Sequence, residues 1–160
     1  MILSAKHIYI IGMRTSTTLA DFLATYLKLL LDNVTVVKEI AAREVYEQLL
    51  RIGKGDLIIG ISFPRYSKRT ISAMKFARDH GARCLGLTDG KVSPLNEISD
   101  VCLYTKSEMV SFLDSLVAPL SMINALIMAV SARDRARTFE TFRELENVWK
   151  EYEVYGTVES

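Results

Sequence analysis

The sequence has few of the side chains that hold metal ions or form disulfides. Its 160 residues include two cysteines and two histidines. His7 and His80 are isolated, and neither Cys84 nor Cys102 has a second ligand at the spacing of a zinc site. Both cysteines lie among apolar residues, which favours buried, reduced thiols over a disulfide. We therefore expect neither a metal nor a cofactor.

The chain also lacks an excess of either charge. It has 20 Lys and Arg side chains and 19 Asp and Glu side chains, and its formal net charge is +1. Proteins that bind nucleic acid neutralise its phosphates with a clustered positive excess. DNA is therefore expected as a partner only through a domain that is absent from this chain.

No hydrophobic run in the sequence is long enough to span a bilayer. The most apolar window, Leu116–Val130, contains Pro119, Ser121 and Asn124 and is shorter than the roughly 20 residues that a membrane helix requires. No charged segment followed by an apolar one opens the chain, so no signal peptide is expected. We expect a cytoplasmic protein without a membrane partner, in which this window forms a buried or dimer-facing helix.

What the sequence does contain is an alternation of β-rich and helical segments. Its length, its 49% of hydrophobic residues and its 24% of charged residues are typical of one soluble domain. The predicted strands are His7–Ile11, Val34–Val37, Asp56–Ser62, Ala82–Leu87 and Val101–Tyr104. The predicted helices are Thr15–Leu31, Ala41–Ile52, Lys68–His80, a helical turn at Pro94–Ile98, Met109–Ala132 and Arg135–Tyr152. Such alternation implies right-handed βαβ units and a three-layer α/β sandwich.

The last predicted helix carries a stripe of large apolar side chains. They are Phe139, Phe142, Leu145, Trp149 and Tyr152. This stripe either packs against the sheet of the same chain or contacts another subunit, because so many aromatics are hard to bury in one small domain. The sequence favours neither alternative.

Three loops follow predicted strands at the edge where parallel sheets bind ligands. In an open parallel sheet, the ligand crevice lies beyond the carboxyl ends of the strands. The first loop spans residues 12–18, the second spans 62–68 and the third spans 88–93. We therefore expect a ligand to contact these loops.

The first and second loops combine hydroxyls with cations and lead directly into helices. A helix N-terminus has unpaired backbone N–H groups and a partial positive charge, so it attracts anions. The candidate ligand-binding residues are Arg14, Thr15, Ser16, Ser62, Arg65, Ser67, Lys68 and, in the weaker third loop, Thr88. This combination suits a phosphomonoester. The alternative for Thr15 and Ser67 is helix capping, and for the third loop a simple turn.

Two common nucleotide sites are not supported. The first strand is followed by Gly12, Met13 and Arg14, without the second and third glycines that admit a pyrophosphate. A Walker A pattern is also missing from the sequence. These absences disfavour a dinucleotide site and a Walker-type nucleotide site.

Five segments of the chain carry a family resemblance. They are Ile10–Ser16 (IIGMRTS), Ile61–Ser67 (ISFPRYS), Ala77–Ala82 (ARDHGA), Leu87–Asp89 (LTD), and Ser93–Leu95 (SPL) leading to Ser99–Val101 (SDV). In order and spacing they resemble the SIS (sugar isomerase) domain, and in particular the effector domain of RpiR-type transcriptional regulators. The resemblance implies a flavodoxin-like five-stranded parallel sheet between helices, acting as a dimer. It also implies that Ser16, Ser62 and Ser67 hold a sugar phosphate.

The second loop departs from the S-x-S-G-x-T pattern that is commoner in this family. Pro64 stands where the family has its middle serine, and Arg65 stands where it has glycine. Pro64 removes a hydroxyl and a backbone donor, whereas Arg65 adds a guanidinium that can bind a phosphate or carboxylate bidentately. This version of the loop resembles the regulators more than the isomerases.

The resemblance therefore implies a phosphosugar-binding effector domain that signals through a homodimer or higher homo-oligomer. The alternative is a small phosphosugar isomerase, whose proton transfer requires a base. Glu39, Glu44 and Glu108 are available, but each has surface-like surroundings, and we assign no catalytic residue. The first strand begins within seven residues of Met1, so the single domain of residues 1–160 is either part of a longer regulator with an N-terminal helix-turn-helix domain or a naturally short protein.

Overall fold

Strands and helices alternate along the chain as the sequence predicts. The computed structural model describes residues 1–38, 42–107, 109–110 and 113–155. The strands are β1 (Ile8–Gly12), β2 (Val34–Val36), β3 (Leu57–Ile61), β4 (Arg83–Thr88), β5 (Val101–Tyr104), β6 (Met109–Val110) and β7 (Leu113–Asp114). The α-helices are α1 (Thr15–Leu30), α2 (Ala42–Gln48), α3 (Lys68–Asp79), α4 (Val117–Arg133) and α5 (Arg135–Glu151), with short 3-10 turns at Ile2–Ser4 and Pro94–Glu97.

Strands β1 to β5 form one parallel sheet in the order β2-β1-β3-β4-β5. From β1 the chain continues to β2 on one side, and from β3 it continues to β4 on the other, so the winding direction reverses between β1 and β3. The register pairs Gly12 with Ile61 and Ile61 with Leu87. The three central strands therefore end level with one another, beside the switch point.

Each face of the sheet is buried under helices, because the strands are apolar on both sides. Ile8 and Ile10 of β1 belong to one hydrophobic cluster, which contains residues of α1 and α4. Tyr9 and Ile11 of the same strand belong to a second cluster, which contains residues of α2 and α3. This alternation along a strand places helices on both faces. The predicted three-layer α/β sandwich with a five-stranded parallel sheet is confirmed.

The predicted helix Met109–Ala132 is wrong over its first part. Strands β6 and β7 form a small antiparallel pair there, and α4 begins only at Val117. The physical reason is Pro119, which lacks an N–H and whose ring would collide with the carbonyl of Ser115 in a helix that started earlier. In the observed helix, Pro119 lies in the first turn, where a missing donor costs nothing. The segment before α4 is therefore a connection at the carboxyl edge of the sheet.

The helix predicted at Ala41–Ile52 is shorter than expected. Helix α2 ends at Gln48, and Ala41 is outside the described residues. The chain then tightens, since the amides of Leu50 and Ile52 bond to the carbonyls three residues earlier. Ile52 is nevertheless buried, so the apolar face that motivated the longer prediction still reaches the core.

Helix α5 lies on the outside of the molecule. It packs beside α1 and α4, and none of its residues is buried. Phe139 and Tyr152 of its apolar stripe are 72% and 71% exposed. A bond of 2.7 Å between Arg137 Nη2 and Asp32 Oδ2 ties its first turn to the end of α1. The stripe is therefore not buried within one chain. Among the helices that the structure describes, none has the length and apolar character of a bilayer span.

Candidate functional site

A cavity of about 350 Å³ opens at the carboxyl edge of the sheet, where β1 and β3 end. Its volume lies within the range of small-molecule sites. Seven of the eight candidate residues line it: Arg14, Thr15 and Ser16 from the first loop, and Ser62, Arg65, Ser67 and Lys68 from the second. The topology therefore brings the two loops that are adjacent in space, but distant in sequence, to one site.

The first loop turns sharply from β1 into α1. A Cβ at Gly12 would lie 2.3 Å from the carbonyl oxygen of Ser16, so this close approach requires glycine. Arg14 precedes the helix with φ 58° and ψ −125°, and no side chain caps the helix N-terminus. Thr15 is the first helical residue and does not cap α1, so the capping alternative does not describe it. The N-terminus of α1 therefore faces the cavity without a side-chain cap, and the amides of Ser16 and Thr17 donate to the carbonyls of Met13 and Arg14.

The second loop uses its two serines to shape the start of α3. Ser62 is 2% exposed, and its Oγ accepts a bond of 3.1 Å from the amide of Ser67. Ser67 caps α3 by accepting a bond of 3.3 Å from the amide of Thr70, as the capping alternative predicts. In both contacts the hydroxyl oxygen is the acceptor. Each O–H group therefore keeps a proton that it can donate to an anion in the cavity.

Two of the three arginines that line the cavity, Arg14 and Arg65, have positive φ angles. Arg14 has φ 58° and Arg65 has φ 64°, and glycine is the residue that tolerates this region without strain. Such backbone strain costs about 1–3 kcal/mol per residue and is common at binding sites. The side chain of Arg65 is 60% exposed, so its guanidinium is accessible from the cavity. Arg14 and Arg65 thus lie at the site although their backbone conformations are unfavourable for arginine.

Asp114, at the end of β7, is the one carboxylate among the described residues that line the cavity. Its Oδ2 lies 3.5 Å from Thr15 Oγ1, and its Oδ1 lies 3.7 Å from Arg65 Nη2. Sequence reasoning missed this residue because it fell inside the predicted helix Met109–Ala132. Pro119 was the available signal, since it requires the helix to begin later and leaves Asp114 in the connection after β5.

Thr88 of the third loop does not line the cavity. It is fully buried, and its hydroxyl contacts Ser93 Oγ at 2.7 Å and Asp89 Oδ1 at 3.1 Å. Tyr66 of the second loop donates a bond of 2.9 Å to the same oxygen of Asp89. Thr88 is therefore part of a hydrogen-bonded network that holds the second and third loops together.

Two of the three glutamates considered as bases, Glu39 and Glu108, lie outside the described residues. Glu44 lies in the first turn of α2 and does not line the cavity. The histidines make local contacts: His7 Nε2 lies 2.8 Å from Thr35 Oγ1, and His80 Nδ1 lies 2.8 Å from the carbonyl of Phe76. Within the described part of the chain, no three Asp, Glu, His or Cys side chains are grouped as metal ligands would be.

A family model described as the SIS domain matches residues 1–129 of the chain. The chain belongs to the SIS domain family. This SIS domain is 30% identical over 102 residues to an uncharacterized HTH-type transcriptional regulator of Caldanaerobacter subterraneus subsp. tengcongensis. That match covers 61% of this chain and 35% of the regulator.

A second relative of the SIS domain is an enzyme. Over 54 residues the chain is 44% identical to the phosphoheptose isomerase of Aliarcobacter butzleri, which covers 34% of this chain and 29% of the isomerase. The matched segments thus span about a third or less of the curated relatives.

Solved structures give the same fold. The sugar isomerase domain of an RpiR transcription factor from Sphaerobacter thermophilus superposes with a TM-score of 0.84 and 30% identity, covering 91% of this chain and 81% of that one. The NanR protein of Vibrio vulnificus, complexed with ManNAc-6P, superposes with a TM-score of 0.80 and 19% identity, covering 94% of this chain and 58% of that one. The SIS domain is thus related to a regulator's sugar isomerase domain and shares the fold of a protein that binds a phosphosugar.

Proposed function

We propose that this SIS domain is a sensor that binds a phosphorylated sugar in the cavity between the first and second loops. The observation that carries the proposal is the convergence of hydroxyls and cations from these two loops at the switch point between β1 and β3. Ligands of open parallel sheets bind at such a point. Support also comes from NanR, a neighbour of the same fold that was solved with ManNAc-6P.

The phosphate is proposed to contact both loops. Helix α1 presents the partial positive charge of its N-terminus, and Ser62 and Ser67 offer hydroxyl protons. Arg14 and Lys68 add charge, which makes their hydrogen bonds to a phosphate shorter and stronger than neutral ones. The sugar then extends towards Asp114 and the mouth of the cavity. Thr88 supports the second loop from behind and does not contact the ligand.

The relay of binding is proposed to use a homodimer, with a second copy of the chain covering α4 and α5. Several large apolar side chains are exposed on these helices: Val117, Met128, Phe139, Val148 and Tyr152. A groove of about 310 Å³ between α1, α4 and α5 is lined mainly by apolar surface, including Tyr26, Met128 and Phe142. An apolar surface of this kind marks an interaction site on a protein. The HTH-type regulator extends beyond its matched segment, which supports a DNA-binding domain outside this chain.

A cytoplasmic location is part of the proposal. Cys84 and Cys102 are both unpaired. Free thiols of this kind are typical of reducing compartments. The proposed sensor would therefore meet phosphorylated sugars in the compartment where its cysteines stay reduced.

The second candidate function is a small phosphosugar isomerase, and the observation that favours it is the match to phosphoheptose isomerase. Isomerisation requires a base beside the carbon that loses its proton. Asp114 is the carboxylate among the described residues that lines the cavity, and its Oδ1 faces Arg65 Nη2 at 3.7 Å. The regulator relative and the arginine-containing loop favour the sensor.

A thermal-shift panel tests the proposal. The panel contains ManNAc-6P, arabinose 5-phosphate, fructose 6-phosphate, glucose 6-phosphate and ribose 5-phosphate, with each unphosphorylated sugar as a control. A ligand present at 100 times its Kd adds about 2.7 kcal/mol to the free energy of unfolding. We expect at least one phosphosugar to stabilise the protein while its unphosphorylated sugar does not. No shift with any member would count against the sensor, and turnover of a bound aldose phosphate to its ketose would favour the isomerase.

A further inference from the structure

Asp114 places a negative charge in a cavity whose other polar lining residues carry cations or hydroxyls. It is the one carboxylate among the lining residues that the structure describes. Its two oxygens face different loops, with Thr15 Oγ1 at 3.5 Å on one side and Arg65 Nη2 at 3.7 Å on the other. The carboxylate therefore contacts one residue of each of the two loops that line the cavity.

Neither contact satisfies the carboxylate fully. Hydrogen bonds from hydroxyls and guanidinium groups usually span about 2.5–3.2 Å, and both contacts of Asp114 are longer. Its side chain is 26% exposed, so a ligand in the cavity can reach it. An ionised carboxylate has about four acceptor sites and no donor. Asp114 thus keeps the capacity to accept hydrogen bonds from a ligand.

The Asp114 carboxylate repels the phosphate of a phosphosugar but can accept hydrogen bonds from its sugar hydroxyls. A phosphate carries about −1.5 to −2 charges near neutral pH, so the carboxylate repels it and competes with it for Arg65. The hydroxyls of a sugar are donors, and a hydrogen bond to an ionised group is stronger than one between neutral groups. Inorganic phosphate is therefore only repelled by Asp114. A sugar phosphate is repelled as well, but one of its hydroxyls can donate a hydrogen bond to Asp114 that offsets the repulsion.

We propose that Asp114 is a specificity-determining residue that makes the cavity discriminate in favour of sugar phosphates and against bare anions such as inorganic phosphate. The proposal rests on the sensor function above and adds the residue that selects sugar phosphates over bare anions. Specificity of this kind combines an attraction for the right ligand with a repulsion of the wrong one. Here one carboxylate supplies both.

Asp114→Asn tests the proposal because it removes the charge and keeps the size. Isothermal titration calorimetry measures the Kd of inorganic phosphate and the Kd of whichever panel phosphosugar binds the wild-type protein most tightly. We expect inorganic phosphate to bind about fivefold more tightly to the variant, since the repulsion is gone. We expect the phosphosugar to bind about tenfold more weakly, since a neutral amide accepts a weaker hydrogen bond. The selectivity ratio would then fall by more than tenfold.

The matched control is Asp21→Asn. Asp21 is a carboxylate on α1 that pairs with Lys38 at 3.5 Å and does not line the cavity, so it reports the effect of net charge alone. Asp114→Ser is a second variant in case the asparagine disturbs the β6–β7 pair. Melting curves establish that each variant is folded.

The outcomes separate this proposal from the sensor function. An unchanged ratio of the two Kd values in Asp114→Asn would overturn the role of Asp114. Binding of a phosphosugar by the wild-type protein would still support the sensor function. Equal tightening of both ligands would also overturn it, because Asp114 would then compete for the anion site without contacting the sugar. If wild-type protein bound no phosphosugar and no variant bound phosphate, both proposals would fall together.

Discussion

Tyr66 Oη donates a hydrogen bond of 2.9 Å to Asp89 Oδ1 and so joins the second loop to the third. The same oxygen of Asp89 contacts the hydroxyl of Thr88. Burial of the phenol, followed by its hydrogen bond to Asp89 and the charge of that carboxylate, raises the pKa of Tyr66. The phenol therefore remains a protonated donor at neutral pH. Through this bond Thr88 supports a loop of the cavity without lining it.

Tyr66→Phe is expected to loosen the second loop. Loss of the bond to Asp89 should lower the free energy of unfolding by about 1 kcal/mol, and phosphosugar binding should weaken severalfold because the loop is less ordered. Urea unfolding and calorimetric titration measure the two effects. Tyr104→Phe is the control, since it removes a phenol that bonds to Asn96 away from the cavity. Equal ligand affinity in Tyr66→Phe and wild-type protein would contradict the supporting role.

Arg14→Gly is expected to weaken phosphosugar binding and to raise the free energy of unfolding. Glycine adopts the φ of 58° and ψ of −125° without strain, so the variant should unfold with a free energy about 1 kcal/mol higher than wild type. The lost guanidinium should weaken phosphosugar binding about tenfold. Arg14→Ala separates the two effects, because alanine loses the charge but keeps the strain. If both variants had the same stability, the strain at this position would be too small to matter.

Ser62→Ala and Ser67→Ala each remove a hydroxyl proton from the proposed phosphate site. Each should weaken phosphosugar binding by about 1–3 kcal/mol. Ser67→Ala should also lower stability by about 1 kcal/mol, because the hydroxyl caps α3. Ser72→Ala, at an exposed position of the same helix, is the control for replacing serine there. Unchanged affinity in both cavity variants would mean that the two hydroxyls only shape the loop.

Phe139→Glu is expected to shift a dimer towards monomer. Phe139 is 72% exposed, so a charge there leaves the fold of one chain intact but would be buried against a second copy. Light scattering after size-exclusion chromatography measures the mass at several concentrations. Leu50→Glu is the control, because Leu50 is equally exposed at 72% but follows α2 on the opposite layer. A dimer in Phe139→Glu that is as stable as wild type would place the interface elsewhere.

Trp149→Ala should also shift the mass towards that of the monomer if the apolar stripe of α5 lies between subunits.

Alkaline pH is expected to destabilise the protein through Cys84. Burial, with a smaller contribution from Asp100, raises the pKa of this thiol from 9.0 to about 11. The unfolded thiol ionises first, so the stabilisation is complete below pH 9.0 and is lost as the pH rises towards about 11. Over that window the free energy of unfolding should fall by an amount on the order of 2–3 kcal/mol. Cys84→Ala should reduce this decline in urea titrations at stepped pH, whereas Cys102→Ala at the half-buried edge strand should retain it in full.

The layers of the fold could be predicted from the sequence because their signals are local. Continuous apolar runs such as Leu57–Ile61 are typical of strands buried on both faces, and apolar spacing in Thr15–Leu30 is typical of a helix. The rule that ligands bind beyond the carboxyl ends of strands then selected three loops, and residues of the first and second line the cavity. Seven of the eight candidate residues lie together because that rule depends on topology alone.

The rest of the site depends on features that a pattern does not show. Asp114 reaches the cavity only because Pro119 delays α4, and the apolar window around the proline outweighed that single residue in the prediction. Thr88 has the right position along β4, but its hydroxyl bonds inward to Ser93. The positive φ of Arg14 and the close approach of Gly12 to Ser16 are likewise features of the folded backbone that no sequence pattern shows.

The level ends of β1, β3 and β4 have a consequence for engineering. Gly12, Ile61 and Leu87 are aligned by the hydrogen bonds of the parallel ladder, which depend on backbone and not on the identity of the loop residues. The loops that follow these strands can therefore be replaced while the parallel sheet keeps its register. Replacing Pro64 and Arg65 alone would then give a direct route to altered ligand preference on an unchanged scaffold.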